Sequence, residues 1–174
     1  YHRIAPAQND ATSLAAWASQ INTKAGPLEG RSEHVVVATN GTSGAAISLA
    51  QTTLNNARFQ LCTSFENETH PSEIAAAMAS KRASREQTTP NSGHDGYQFI
   101  TVQPQRFPGQ VPARATLQLQ LEAGVTPICG NVVATCIRAI TTHCLNGTTP
   151  DFRTIDVSHS VVPDFMAELF KARW

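Results

Sequence analysis

Three of the four cysteines, Cys129, Cys136 and Cys144, fall within sixteen residues, and their spacing is the clearest chemical signal in the chain. Cysteine thiols form disulfides, bind soft metals or act as nucleophiles. Because about 100° separates successive residues of an α-helix, these three would lie along one narrow apolar stripe of a helix. The spacing therefore predicts a helix over 129–144 that carries sulfur along one edge.

Geometry limits how these cysteines can pair. A disulfide needs Cα atoms about 4.4–6.8 Å apart, whereas seven residues of helix already span about 10 Å. Two bridges therefore require one cysteine beyond a helix end. Cys62–Cys129 with Cys136–Cys144, and Cys62–Cys144 with Cys129–Cys136, both remain open, as does one bridge with two buried thiols. We expect disulfides that involve Cys62, Cys129, Cys136 and Cys144.

Other reactive side chains do not form a recognisable catalytic or metal-binding motif. Asp156 and His159 are three apart in a predicted strand, so they would point to opposite faces. His94 and Asp95 lie in a loop-like stretch. We expect no catalytic residues, no metal and no cofactor. An enzyme would be indicated if side chains from distant positions met in one cleft, and the candidates are His34, His94, His159, Glu122 and Arg153.

Composition points to a neutral, secreted protein. The 174 residues include 13 basic and 13 acidic ones, so no nucleic-acid partner is implied. No stretch reaches the ~20 apolar residues that cross a bilayer. The chain begins at Tyr1, as a mature or trimmed form would, and has an even number of cysteines. Three N-glycosylation sequons, at Asn40, Asn67 and Asn146, favour a secreted, extracellular glycoprotein.

Apolar periodicity predicts the elements that would position these residues. Asp10 or Thr12 caps the first helix, and the alternating Leu117, Leu119 and Leu121 predict the cleanest strand. Residues 45–57 are ambiguous between a helix, which we favour, and a hairpin. Helices are predicted at 10–22, 72–79 and 163–170, and strands at 34–39, 59–63, 97–102, 116–122 and 152–162. Residues 1–9 are expected to be a loose arm, and 81–95 a polar loop with a possible dibasic processing site at Lys81–Arg82.

This order of elements predicts a single α+β domain over 1–174. Because the strands at 97–102 and 116–122 are adjacent in sequence, we expect an antiparallel sheet of four to five strands with helices on one face, an α/β sandwich stabilised by disulfides. The length suits one core.

One local pattern resembles a known group of proteins. A predicted helix has cysteines two turns apart, follows a clean strand and ends in Cys144-Leu-Asn146-Gly147 before a further strand; this pattern is similar to small secreted proteins of fungi. These are the virally encoded killer toxins, the salt-mediated killer toxin and plant-pathogen effectors of α/β-sandwich build. The resemblance covers mainly residues 115–165, and Lys81–Arg82 is similar in kind to the processing sites of some of those toxins. It implies an extracellular, non-catalytic virulence protein that binds a host or target-cell protein or a cell-surface component.

Three functions are therefore expected from the sequence. The first is a secreted fungal effector or killer-toxin-like protein. The second is a small secreted hydrolase, such as a ribonuclease. The third is a structural or allergen-like cell-wall protein. A cleft that gathers titratable groups would favour the hydrolase, and an exposed apolar patch would separate a binding protein from a cell-wall protein.

Overall fold

A computed structural model describes residues 2–26, 29, 31, 33–89, 95–151 and 156–173. These residues form five α-helices and eight strands. The helices are α1 (Ala11–Lys24), α2 (Ser43–Ser48), α3 (Pro71–Thr88), α4 (Arg114–Glu122) and α5 (Val157–Arg173). The strands are β1 (His2–Ile4), β2 (Glu33–Thr39), β3 (Phe59–Thr63), β4 (Gln98–Phe99), β5 (Val125–Cys129), β6 (Ala134–Cys136), β7 (Leu145–Asn146) and β8 (Thr149–Pro150). A π-helical segment, Leu49–Leu54, continues α2, and Pro108–Gln110 forms a 3₁₀ turn.

Six strands form one mixed sheet in the order β1-β2-β3-β5-β6-β4. The first four are parallel, with Val35 opposite Phe59 and Leu61 opposite Val125. Strand β6 is antiparallel to both β5 and β4. The remaining two strands, β7 and β8, form a separate hairpin.

Helices cover both faces of this sheet. Successive residues of β2 alternate between the faces, so Val35 and Val37 belong to one apolar cluster and Val36 and Ala38 to the other. Helix α1 and the α2 segment pack on the first face, whereas α3 and the start of α5 pack on the second. A strand buried on both faces is typical of a parallel sheet between helix layers.

Several elements begin where the sequence predicts. The Asp10 carboxylate accepts a hydrogen bond from the Ser13 backbone N–H and caps α1, as expected. Strands β2 and β3 match the predicted 34–39 and 59–63 closely. Helix α3 is longer than the predicted 72–79 and is capped by His70, with Pro71 at its first position, instead of by Ser72.

The prediction of an antiparallel sheet covered on one face is wrong in detail, although the chain does mix helices and strands. Residues 114–122 are helical despite their alternating leucines, because Leu, Gln, Arg and Glu are all good helix formers. The lost strand removes the predicted antiparallel pair. Parallel pairing instead follows from the helices that connect β1, β2 and β3.

The predicted cysteine-bearing helix is also wrong. Residues 125–136 form the β5–β6 hairpin, because the segment is rich in β-branched residues and Gly130 permits a tight turn. A Cβ atom on Gly130 would lie 2.2 Å from the Val133 carbonyl oxygen, so only glycine fits there. The helical stripe that was expected to carry sulfur does not exist.

Both ends of the chain also differ from the prediction. Residues 1–9 were expected to be loose, but His2–Ile4 pair with β2 as an edge strand. In the segment predicted as a strand, 152–162, positions 152–155 lie outside the described residues and Val157 already begins α5. Val157 and Val161 are one helical turn apart and both buried, so burial of this face overrides the β preference of valine. Pro163, expected at a helix start, lies inside α5.

Candidate functional site

A partly buried ion cluster joins α5 to the amino ends of β2 and β3. Nε2 of His34 lies 2.8 Å from Oδ2 of Asp164, and Arg58 donates two hydrogen bonds to the same carboxylate, at 2.9 and 3.2 Å. Burial lowers the pKa of His34 from 6.5 to about 4, so the imidazole is neutral at pH 7. Burial alone would raise the pKa of Asp164, but the hydrogen bonds from His34 and Arg58 outweigh it and lower that pKa.

A second buried cluster lies under α3 and crosses three strands. Nε of Arg82 donates to Glu86 at 2.8 Å, and Nη1 donates to the Gln60 side chain at 2.9 Å. Glu86 also accepts from Arg3 of the edge strand. The Gln60 amide continues the chain of hydrogen bonds to Thr126 on β5. Burial would raise the pKa of Glu86, but the two arginines lower it, so one ionised carboxylate lies between two guanidinium groups.

These two clusters fix helices to the sheet. His34 is 1% exposed and Arg82 is 1% exposed, so neither side chain can reach a substrate in solution. A His–carboxylate pair supports catalysis when the histidine also contacts a reacting group. Here the carboxylate of Asp164 is shared with Arg58, and the arrangement orients α5.

The cysteines are free thiols, so the predicted disulfides are wrong and do not stabilise this fold. All four, Cys62, Cys129, Cys136 and Cys144, are buried. Burial raises the pKa of Cys62 to about 12 and also raises the pKa of Cys136. Thiols with raised pKa values are weak nucleophiles, so these side chains act as core residues.

The sequons are placed in two different environments. The side-chain nitrogen of Asn40 donates to the carbonyl oxygens of Asn67 and Thr69, each at 2.8 Å. The corresponding nitrogen of Asn67 donates to Ser64 and to the Gln103 carbonyl. A glycan replaces one of the two hydrogens on the amide nitrogen, so at either asparagine at least one of these two bonds would be lost. Asn146 is exposed in β7. Glycosylation at the three asparagines stays a prediction.

Of the predicted cleft residues, the structure describes the side chains of His34 and Glu122, and these lie on different elements, β2 and α4. Lys81 and Arg82 lie inside α3, and Arg82 is buried, so cleavage there would require α3 to unfold; processing stays a prediction. Glu122 is exposed on α4 and accepts a hydrogen bond from Gln118. His94 and Arg153 lie outside the described residues, as does the side chain of His159.

Two concavities are lined by described residues, and the larger of the two is an open groove of about 300 Å³ beside α1, lined by Gln8, Ser13, Ala16, Trp17 and Gln20. A pocket at the carboxyl ends of the parallel strands is lined by residues of the 66–68 and 104–110 loops, including Glu66, Arg106 and Phe107. Its volume of about 10 Å³ holds one water molecule. Within the described ranges, no three His, Cys, Asp or Glu side chains are grouped to hold a metal ion. None of the helices in those ranges combines the length and apolarity that a membrane crossing needs.

Large apolar side chains are exposed at both ends of the sheet. The α5 patch consists of Met166, Leu169 and Phe170. The loop patch consists of Ile100, Phe107 and Val132. The sequence did not predict either patch, because a large apolar residue is assigned to the core until the structure shows which face of its element is buried.

Two comparisons with known proteins gave no result: no family model and no curated protein matches the chain. Among solved structures, the chain is similar in fold to a sheath tail protein from Desulfitobacterium hafniense. The TM-score is 0.65 and the identity 13%, over 99% of this chain and 39% of the other. The chain thus spans well under half of that protein's length. At this identity the likeness establishes the fold.

The predicted kinship with fungal killer toxins and effectors is wrong. The fold likeness is to a bacterial sheath tail protein, and the free cysteines remove the disulfide pattern on which the resemblance depended. The function expected from that resemblance, a secreted fungal effector or toxin, is therefore wrong as well.

Proposed function

We propose that this chain is a structural building block of a tail-sheath-like assembly. The observation that carries the proposal is the fold likeness to a sheath tail protein, which extends over 99% of the chain. A sheath is built from many copies of a subunit, so its subunits need surfaces that contact each other and a fold that resists deformation.

Three features of the chain support this role. The ion clusters around Asp164 and Glu86 tie α5 and α3 to strands of the sheet, which favours a rigid unit. The α5 patch and the loop patch expose apolar surface, which is typical of protein–protein contacts. Polar groups at the carboxyl ends of the strands, where α/β enzymes bind ligands, are instead bonded to backbone: Asn40, Asn67 and Gln105 bridge the loops there.

Sedimentation velocity over a hundredfold concentration series of the purified chain tests this proposal. A structural building block self-associates, so the weight-average sedimentation coefficient should rise with concentration. A coefficient that stays at the single-chain value throughout the series would contradict the proposed role.

A further inference from the structure

The two apolar patches lie at opposite ends of one sheet. Asp164 of α5 contacts His34, near the start of β2, and Arg58, just before β3. The helix segment that follows therefore lies at the amino ends of the parallel strands. A seven-residue strand such as β2 is about 23 Å long, and this length separates the α5 patch from the carboxyl ends.

The α5 patch faces away from the sheet. Val157 and Val161 are fully buried, and Asp164 is bound to Arg58, so these positions define the inner side of α5. With about 100° per residue, the patch residues lie about 170° around the axis from that side. Their side chains are about half exposed: Met166 45%, Leu169 50% and Phe170 60%. The same helix thus has an apolar side toward the core and another away from it.

The loop patch lies at the carboxyl end. Val132 is in the turn between β5 and β6, and Ile100 directly follows β4, whose Phe99 pairs with Ala134 at the start of β6. Phe107 is in the loop that Gln105 attaches to the Gly130 carbonyl oxygen. Ile100 is 98% exposed, Val132 80% and Phe107 65%.

We propose that the α5 patch of one copy docks on the loop patch of a second copy, so that chains stack head to tail along the strand direction. This inference rests on the proposed function and names the surfaces that it uses. A contact between two different patches of the same chain is heterologous, and such contacts extend into rings or open helical filaments. A sheath requires an open or ring-forming repeat of this kind, whereas a two-fold pairing of one patch would stop at a dimer.

The size of the patches fits a weak contact between copies of the chain better than it fits a stable dimer. A fully exposed aliphatic side chain offers on the order of 100 Å² of apolar surface, and a phenylalanine roughly 200 Å². The two patches are then similar in size, at roughly 200–300 Å² each. Together they fall short of the ~1,200–2,000 Å² that a stable complex buries. One contact is therefore weak, so we expect assembly at high concentrations of the chain or where a closed ring adds a contact to each copy.

Charge substitutions in each patch test the docking. Ile100→Glu and Phe170→Glu should each raise the concentration at half-assembly at least tenfold in sedimentation velocity. Leu119→Glu is the matched control, because Leu119 is 58% exposed on α4 and belongs to neither patch. It should assemble like the wild type. All variants should keep the wild-type thermal unfolding curve, since the substituted side chains are exposed.

Mixing the two variants gives the sharpest result. Each variant keeps one intact patch, so an equimolar mixture of Ile100→Glu and Phe170→Glu should form two-chain species that neither variant forms alone. At a concentration where the wild type assembles, a mixture that stays monomeric would overturn the head-to-tail docking, and so would two variants that assemble as well as the wild type. The assembly of the wild type would still support the proposed function. A wild type that never associates would overturn both.

Discussion

Replacement of Glu86 by glutamine tests whether the ion cluster under α3 holds the fold together. Glu86 is 3% exposed and is the carboxylate that both Arg82 and Arg3 contact. The substitution keeps the shape and one acceptor oxygen but removes the negative charge between two buried guanidinium groups. Breaking a buried ion pair on one side typically costs about 3–5 kcal/mol, because the remaining charge is left uncompensated. We expect about 3 kcal/mol, since glutamine retains a hydrogen bond to one arginine.

Urea unfolding followed by circular dichroism measures this loss. For a slope of about 2 kcal/mol/M, a loss of about 3 kcal/mol lowers the unfolding midpoint by about 1.5 M. The matched control is Glu68→Gln, in the ion pair with Arg106, where both side chains are 61% exposed and 3.6 Å apart. Exposed pairs contribute about 0–1 kcal/mol, so this variant should unfold near the wild-type midpoint.

Acid dependence supplies a second readout of the same residue. Because the pKa of Glu86 is lowered in the folded state, its contribution is complete above the unfolded pKa, near 4.5, and is lost as the pH falls through the folded pKa. The Glu86→Gln variant should lack this loss. If Glu86→Gln unfolds within about 1 kcal/mol of the wild type, the range of an exposed pair, the reasoning about this cluster is refuted.

Three further predictions concern other parts of the fold. His34 stays neutral to about pH 4 when folded but is protonated near 6.5 when unfolded, so stability should fall by up to about 3 kcal/mol from pH 6.5 to 4. His34→Gln should flatten the decline between pH 6.5 and 4.5 in a urea series, and an unchanged slope would argue against a buried neutral imidazole. Gly130→Ala should cost about 3 kcal/mol or more, because the hairpin turn has no room for Cβ, whereas Gly44→Ala, in open space on α2, should stabilise by about 0.5–1 kcal/mol. Thermal unfolding of both variants measures this, and equal effects would speak against the turn geometry. Finally, iodoacetamide without reductant should label all four cysteines in urea but few of them in the folded protein, and fewer than four labels in urea would indicate a disulfide.

Local capping and burial signals predicted α1, β2 and β3 well. Asp10 caps α1, and the β-branched run of β2 predicted a strand buried on both faces. The cap and the strand each depend on residues that are close in sequence, so both can be predicted from the sequence. The direction of strand pairing depends instead on which connections are helical. The segment 116–122 was predicted as a strand but lies in helix α4, which removed the basis for antiparallel pairing. Gln120 shows the consequence. In a strand with Leu117, Leu119 and Leu121 toward the core it would face solvent, but it is fully buried and its side chain donates a hydrogen bond to Ser43.

The candidate site was beyond what spacing could show. Asp164 meets His34 across 130 residues, and Arg3 meets Glu86 across 83. Such pairs arise from topology, and no local pattern marks them. The interval of seven residues between Cys129 and Cys136 fits one face of a helix, and it fits the two strands of a hairpin equally well. Gly130, between the two cysteines, was the signal that favoured the hairpin.

Electron microscopy of the negatively stained wild-type chain, at concentrations where sedimentation detects association, tests the central claim most directly. A sheath-like building block that stacks through its two patches should form regular rings, tubes or helical filaments, and Ile100→Glu should abolish them. Single-chain particles at every concentration, or irregular aggregates that Ile100→Glu leaves unchanged, would contradict it.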